Sequence, residues 1–226
     1  MHKSHLFRGL LALLGSLAAI PASAGTLEQD VLDEINFARS HPQDYADELR
    51  RYRESFDGRI VADEVGEHMT YEGVRAVDEA IAFLDAHAPL APLTRGSILA
   101  RAAIDYAAEQ GLRGGMGHTS ATGMTPSRRV AAKGGGRYVS ETIAYGRSDA
   151  AGVVRSLIVD DGVGSRIHRA VIFQSYLRYA GVGCAPHVRV SYVCVIDYGQ
   201  TADGGIPRQP GLARSDYGNE DAYQPF

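Results

Sequence analysis

The sequence predicts an α+β domain in which helices cover both faces of a small antiparallel sheet. Two observations predict this architecture. Apolar residues recur at helical spacing through the first half of the chain, whereas strand-like alternation is concentrated between residues 137 and 198. A sheet that packs each of its two faces against a layer of helices is a stable arrangement of such elements.

Four stretches of the first half have apolar residues at helical spacing and are predicted to be helices: 26–41, 43–52, 72–90 and 97–111. Thr26 is a suitable N-cap for the first of them. The first helix is expected to end before Pro42, because the residue that precedes a proline avoids the α region. Gly111 is the expected stop of the fourth helix. Residues 55–72 show no clear period and are predicted to be a connecting loop.

The second half begins with a loop rich in glycine and threonine at residues 111–126. Its predicted elements are a short helix at 126–133, a strand at 137–146, a helix at 149–161, a strand that begins in "RIHRAVIF" and a hairpin around the two cysteines. From Thr201 the chain loses its apolar period and is rich in Gly, Pro and Asp, so residues 201–226 are predicted to be a flexible tail.

The beginning of the chain resembles a secretory signal. Lys3 and Arg8 precede an apolar stretch, and Ala22-Ser23-Ala24 is a suitable cleavage site, so residues 1–24 are predicted to be removed. The apolar stretch is too short for a membrane span, which needs about 20 apolar residues, although a retained anchoring helix is the alternative. Export predicts a secreted or periplasmic protein, and residues 25–200 are predicted to form its single domain.

The charge and the cysteines narrow the class of protein. The formal net charge is −4 and falls to −6 without the predicted signal, and no basic stripe is present, which argues against nucleic-acid binding. Cys184 and Cys194 lie in two β-rich runs that would turn near Arg189, so they are expected to be opposed in a hairpin. With an export signal, this placement predicts a disulfide, the alternative being two buried free thiols.

Several polar residues stand where the local pattern does not favour them. Glu141 shares a strand face with Val139 and Ile143, and a carboxylate there is costly unless it is paired. His118 follows a glycine in an open loop, and His168 directly precedes an apolar run. The pair Asp160-Asp161 ends a helix, where the macrodipole disfavours acids. Unfavourable placements of this kind mark candidate functional residues, although each residue taken singly is compatible with a purely structural role.

The order of several motifs resembles the CAP superfamily of cysteine-rich secretory proteins, antigen 5 and pathogenesis-related 1 proteins, in particular bacterial secreted SCP-domain proteins. The motifs are "VLDEINFARSHPQDYA", "LARAAIDYAAEQG", "GHTSATGMTPSRRVAAKG", "SETIAYG", "SRIHRAVIF" and "GVGC". The second to fourth of these resemble a family helix, the His-Thr loop with its Pro-x-x-Arg helix, and the Glu-containing strand. The resemblance covers residues 27–198 and implies a three-layer α-β-α sandwich.

The resemblance also implies a cleft lined by two histidines and two acids. Its positions correspond to His118, Glu141 and His168, and either Asp160 or Asp161 stands near the place of the second acid. Two neutral imidazoles with carboxylates suit Zn²⁺ or another divalent metal, so His118 and His168 are the expected metal ligands. The chain departs from the family pattern in having an aspartate at the place of the second acid, and also at Ser140, Thr142 and Ile167.

The predicted function is that of a secreted binding module whose cleft holds a small ligand, a lipid, a sterol or a protein partner, with no membrane-spanning segment. The alternative is a secreted hydrolase in which a histidine oriented by Glu141 acts as general base. Ser120, Ser140 and Thr119 lie near these positions, but no Gly-x-Ser-x-Gly nucleophile motif is present, so no catalytic residue is assigned. A third possibility is a closed tetrad that only holds loops onto the domain.

Overall fold

The computed structural model describes residues 26–207, so the predicted signal peptide lies outside the described residues, as does the predicted tail from residue 208 onward. The described helices are α1 (Leu27–Ser40), α2 (Pro42–Arg53), α3 (Val74–Ala86), α4 (Ser97–Arg113), α5 (Pro126–Ala132), α6 (Ala150–Val159) and α7 (Ile167–Ile172). The strands are β1 (Phe56–Asp57), β2 (Ile60–Asp63), β3 (Gly66–Met69), β4 (Thr94–Arg95), β5 (Val139–Tyr145), β6 (Tyr179–His187) and β7 (Ser191–Gly199). Within the described part, no helix is both long and apolar enough to cross a bilayer.

The main sheet has four strands in the order β4-β6-β7-β5. The pairs β5–β7 and β6–β7 are antiparallel, as predicted for the segment between residues 137 and 198. The two-residue strand β4 adds a short parallel edge beside β6, which the sequence pattern did not indicate. Strand β5 therefore forms the other edge of the sheet.

Helices cover both faces of this sheet, which confirms the three-layer sandwich. Because side chains alternate along a strand, Cys194, Ile196 and Tyr198 of β7 pack with the helices α1, α2, α3, α6 and α7. Val193 and Val195 point the other way and pack against α4. The opposed burial of neighbouring residues in one strand places two separate apolar cores on the two sides of the sheet.

Helix α4 lies directly on β6 because two glycines leave room for its backbone. A Cβ atom at Gly181 would stand 2.0 Å from the Ala100 nitrogen, and one at Gly183 would stand 2.2 Å from the Ile104 nitrogen. Both distances are far below any van der Waals contact. The segment "YAGVGC" therefore sets how closely the α4 layer approaches the sheet.

Two polar residues of α1 fasten the connection between α3 and β4. The Asn36 amide donates to the Leu93 carbonyl at 2.9 Å and accepts from the Leu93 amide at 2.6 Å. The fully buried Arg39 guanidinium donates to the carbonyls of Ala91 and Ile172. Buried carbonyls need such donors, so the Asn-x-x-Arg pattern of the first helix has a structural role.

The two cysteines are bonded to each other, as the sequence predicts. Cys184 and Cys194 are directly opposed in the β6–β7 register, with a Cα–Cα distance of 4.2 Å. The hairpin turns between His187 and Ser191, so the predicted turn near Arg189 is confirmed.

Three predictions of secondary structure were wrong. Helix α4 does not stop at Gly111 but continues to Arg113 and ends at Gly114, which has the left-handed conformation. Residues 55–72 are not a plain loop, since 56–69 form the antiparallel sheet β1-β2-β3. Its strands are too short to show a period, and only Val61 is fully buried in them. The segment "RIHRAVIF" forms helix α7 rather than a strand, because a short apolar run fits either element and the tertiary contacts decide.

The folded domain also extends beyond Gln200, where the tail was predicted to begin. The carbonyl of Asp203 accepts from the Gly136 amide at 2.8 Å, and that of Gly204 accepts from the Tyr138 amide at 2.9 Å. Gly204 is buried against the start of β5. Residues 201–207 therefore pack on the domain, whose boundary lies further along the chain than the composition suggested.

Candidate functional site

The loop that carries His118 is held by side chains of α4 and β5. The Gly117 carbonyl accepts from the Tyr106 hydroxyl and from the Gln110 amide, both at 2.6 Å. The Gly117 amide donates to the Tyr145 hydroxyl at 2.8 Å, and that hydroxyl donates to Gln110. The side chains of Tyr106, Gln110 and Tyr145 thus hold the backbone beside His118, although the loop itself lies at the surface.

His118 is paired with the strand carboxylate that the sequence indicated. Its Nδ1 atom lies 2.7 Å from Glu141 Oε1. The Glu141 side chain is 1% exposed and the His118 side chain 50% exposed, so a buried carboxylate orients an accessible ring. Because a carboxylate only accepts, Nδ1 carries the hydrogen in this bond, and Nε2 is the nitrogen left to interact with another molecule.

The second oxygen of Glu141 is bonded to Arg129, a buried residue of α5. The Arg129 guanidinium also donates to the His118 carbonyl at 2.8 Å, and its central carbon lies 3.5 Å from the centre of the Tyr106 ring. An ion pair with these additional contacts offsets the cost of burying both charges. Arg129 therefore supports both the carboxylate and the backbone of the histidine that the carboxylate orients.

Asp197 adds a second acid to this buried group. It is opposite Glu141 in the β5–β7 register and is fully buried. Burial, and secondarily the neighbouring Glu141, raises the pKa of Asp197 well above its ordinary value. Asp197 consequently keeps its proton at pH values at which an exposed aspartate has lost it.

His168 has its own carboxylate partner, Asp160. Its Nδ1 atom lies 2.6 Å from Asp160 Oδ1, and its backbone amide donates to Asp160 Oδ2 at 3.0 Å. Asp160 can do this because it ends α6 in the left-handed conformation, with φ of 56°. The Asp160 carboxylate thus accepts from the His168 amide, which has no partner within the first turn of α7. The same carboxylate orients the His168 ring.

Asp161 has a different role from Asp160. Its two carboxylate oxygens accept from the backbone amides of Tyr71 and Glu72 at 2.7 and 2.8 Å. Asp161 therefore fastens the loop between β3 and α3 to the end of α6. Of the two adjacent acids, Asp160 is the one that pairs with a candidate histidine.

The candidate residues come together as two pairs that belong to different layers. Glu141 shares its strand face with Ile143, which packs against α4. His168 and Asp160 belong to the region of α6 and α7, whose buried residues pack on the other side of the sheet. Edge strand β5, which α7 also contacts, runs between the two layers. A single cluster of both histidines stays a prediction.

A cavity of about 300 Å³ lies between α6 and the β1–β3 sheet, and its lining includes neither of the two histidines nor their carboxylate partners. It is lined by aromatic and polar side chains, among them Tyr52, Phe56, Tyr71, Tyr145, Arg155 and Asp161. Tyr145 is the residue that holds the backbone next to His118, and Asp161 is the neighbour of Asp160. The guanidinium of Arg155 lies over the Tyr52 ring at 4.3 Å, which gives this wall a rigid aromatic and cationic character.

The comparison with known protein families identifies the family of this chain. A sequence model of the CAP family, described as the cysteine-rich secretory protein family, matches residues 32–198. The chain belongs to the CAP family. The predicted resemblance is thereby confirmed, and the matched segment contains every candidate site residue.

Solved structures similar to this CAP domain include two bacterial proteins. The first is an outer surface protein from Borrelia burgdorferi, with 20% sequence identity and a TM-score of 0.40; the match covers 48% of this chain and 77% of that protein. The second is an extracellular protein containing an SCP domain from Bacillus anthracis, also with 20% identity and a TM-score of 0.40. That match covers 52% of this chain and 36% of the Bacillus protein. No curated protein matches the chain.

Among the described residues of this CAP domain, the two histidine–carboxylate pairs do not form a complete set of ligands for a zinc ion. Protein zinc sites have three or four protein ligands. Among residues 26–207, no group of three or more His, Cys, Asp and Glu side chains is placed to hold a metal ion. His118 and His168 each offer one ring nitrogen, since the other is bonded to a carboxylate. The predicted Zn²⁺ or other divalent ion stays a prediction, and the function proposed below does not depend on it.

Arg129 and Asp197 are ionisable residues of this site to which the sequence analysis assigned no role, and it assigned none to Tyr106, Gln110 and Tyr145 either. Arg129 was visible as the arginine of the Pro-x-x-Arg helix, but nothing in the local pattern indicated its partner. Asp197 gave the same signal as Glu141, an acid between apolar residues of a strand, in "CVIDYG". A search for buried acids in both strands of the predicted sheet would have found it.

The state of Asp197 predicts how stability depends on pH. Because the folded pKa lies above the unfolded one, the contribution of Asp197 to stability is fully present below about pH 4 and is lost as the pH rises toward the folded pKa. Asp197→Asn removes this titration. We expect the free energy of unfolding of the variant, relative to wild type, to rise by up to about 1.4 kcal/mol per pH unit above pH 4.

Urea denaturation at several pH values between 4 and 8 measures this difference. The Asp57→Asn variant, which removes an exposed carboxylate in β1, is the matched control. A flat difference for Asp197→Asn would show that Asp197 is ionised in the folded protein.

Proposed function

We propose that this CAP domain is an extracellular binding module that holds a small ligand non-covalently in the cavity between α6 and the β1–β3 sheet. The observation that carries this proposal is the cavity of about 300 Å³, whose wall includes the guanidinium of Arg155 over the ring of Tyr52. Its size lies at the lower end of the range of small-molecule sites, and its aromatic and polar lining is of the kind that orients a ligand. The disulfide is consistent with an oxidising, extracellular location.

The two histidines do not line this cavity, so they would contribute hydrogen bonds only to a part of the ligand that extends beyond it. Glu141 and Asp160 hold the Nδ1 atoms of His118 and His168, which leaves each Nε2 to accept a hydrogen bond when the ring is neutral. Since each ring is oriented before a ligand arrives, little ordering entropy would be lost on binding. The carboxylate–histidine pairs then have a role that needs neither a metal nor a reaction.

The alternative is a secreted hydrolase with His118 as general base. The observation that favours it is the half-exposed ring whose Nδ1 is held by a buried carboxylate, because this arrangement orients a general base. The hydroxyl of Ser120 does not complete a nucleophile pair, since it contacts the Thr122 hydroxyl and accepts from the Met124 amide. A hydrolase of this kind would have to activate water.

Native mass spectrometry of protein purified without chelator tests the proposal. We expect an adduct on the wild-type protein that is lost in Ser156→Phe, because Ser156 lines the cavity and a phenyl ring there would fill it. Ser175→Phe, in the exposed connection between α7 and β6, is the matched control and should keep the adduct.

Two outcomes would contradict the binding module. An adduct that persists in Ser156→Phe would place the ligand outside the cavity, and protein without any adduct would remove the evidence for a resident ligand. If the released ligand is consumed when it is incubated with fresh wild-type protein but not with His118→Gln, the hydrolase is correct instead.

A further inference from the structure

Three large apolar side chains are exposed together at one end of the domain. Leu112 in the last turn of α4 is 81% exposed, Met116 in the following loop 51%, and Val188 in the turn between β6 and β7 71%. Single exposed apolar residues are common, but a group at one place marks an interaction site. We call these residues, together with Arg113 and Arg189, the hairpin-tip surface.

Backbone contacts show that the two parts of this surface are adjacent. The Val188 amide donates to the Gly111 carbonyl at 3.1 Å. His187 Nε2 lies 2.8 Å from the Gly115 carbonyl oxygen, and the Arg189 guanidinium donates to the Gly114 carbonyl at 3.4 Å. The turn of the hairpin is therefore packed against the end of α4 and the loop after it.

The hairpin-tip surface is also preformed. The Cys184–Cys194 disulfide ties the two strands directly behind the turn. Gly114 ends α4 in the left-handed conformation, so the chain reverses at the point where it meets Val188 and Arg189. The exposed side chains thus project from a fixed backbone, and docking would not need to order the turn.

The charge of this surface indicates what it contacts. Arg113 and Arg189 are exposed beside the apolar side chains, although the chain as a whole carries a net charge of −4. A surface that combines exposed apolar side chains with arginines matches the interface of a bilayer, where apolar groups enter the headgroup region and arginines pair with lipid phosphates. We infer that the hairpin-tip surface docks this extracellular protein reversibly on an anionic lipid bilayer.

Sedimentation with lipid vesicles tests this inference on the purified protein. Binding is expected to vesicles of phosphatidylcholine that contain phosphatidylglycerol, and to be much weaker on phosphatidylcholine alone. Arg113→Gln with Arg189→Gln should lower the affinity about fivefold per arginine, and added salt should do the same. Leu112→Ser with Val188→Ser should lower it about tenfold or more, because buried apolar contact is lost.

The matched control is Ile60→Ser with Val65→Ser. Ile60 lies in β2 and Val65 in the turn between β2 and β3, and they are 39% and 48% exposed, so the control removes exposed apolar surface at another place. It should leave vesicle binding unchanged. Absence of vesicle binding by the wild type, or binding that survives Leu112→Ser with Val188→Ser, would overturn the inference. If that variant instead abolishes self-association of a protein that ignores vesicles, the surface contacts a second copy.

Discussion

Replacing Arg129 with methionine is expected to lower the free energy of unfolding by about 3–5 kcal/mol. The reason is that Glu141 would remain buried without its cation, directly opposite the buried Asp197. The His118 and Met124 carbonyls would also lose the donor that now satisfies them. Urea denaturation at pH 7 measures the loss.

Two further variants separate the charge effect from the packing effect. Arg128→Met changes the exposed neighbour in the same helix and should cost less than about 0.5 kcal/mol. Adding Glu141→Gln to Arg129→Met should recover part of the loss, because the buried charge that lacks a partner is then absent. If the double variant is no more stable than Arg129→Met alone, Glu141 is not ionised beside Arg129, and the described pairing is wrong.

The fold could be predicted from the sequence where local signals decide it. Two such signals are the alternation within residues 137–146 and the spacing of Cys184 and Cys194 about a turn. Both depend only on residues that are close in the sequence, so the folded structure agrees with them. Helix α7 could not be predicted in this way. Its six residues form a helix because Asp160, eight residues before His168, accepts from an amide of the first turn. Such a contact is not visible in the periodicity of the segment.

The site was predictable in its residue types but not in its pairing. Glu141 and His168 could be singled out because each stands in an apolar setting, and the structure provides each with a partner. The choice between Asp160 and Asp161 depends on the left-handed backbone at Asp160, which turns the two adjacent carboxylates to different partners. A left-handed backbone conformation at a residue other than glycine is uncommon, and the pattern of polar and apolar residues does not reveal where it occurs.

Arg129 shows why the buried electrostatics could not be anticipated. Its partner Glu141 is twelve residues away on a different element, and although Glu141 stands out in its strand, no local pattern connects it with Arg129. The pair arises because the α4 layer brings α5 over the edge of the sheet. The position of α4 on the sheet therefore controls the site as well as the core.

Gly183→Ala is expected to test this control and to destabilise the protein by about 3 kcal/mol, the upper end of the range for overpacked cores. The added methyl group would stand 2.2 Å from the Ile104 backbone nitrogen, so α4 must move away from β6. For a domain of this size the melting temperature should fall by about 6–12 °C. Ala185→Val, two residues further on the same strand face and only half-buried, is the matched control and should cost much less.

The displacement should also reach His118. Tyr106 and Gln110 lie on the same helix as Ile104 and hold the Gly117 carbonyl, so a shift of α4 moves the loop that carries the ring. The His118 ring signals in NMR spectra should therefore change in Gly183→Ala and remain as in wild type in Ala185→Val. A stable Gly183→Ala protein with unchanged His118 signals would mean that the sheet, and not the helix, gives way, and that α4 does not transmit packing changes to the site.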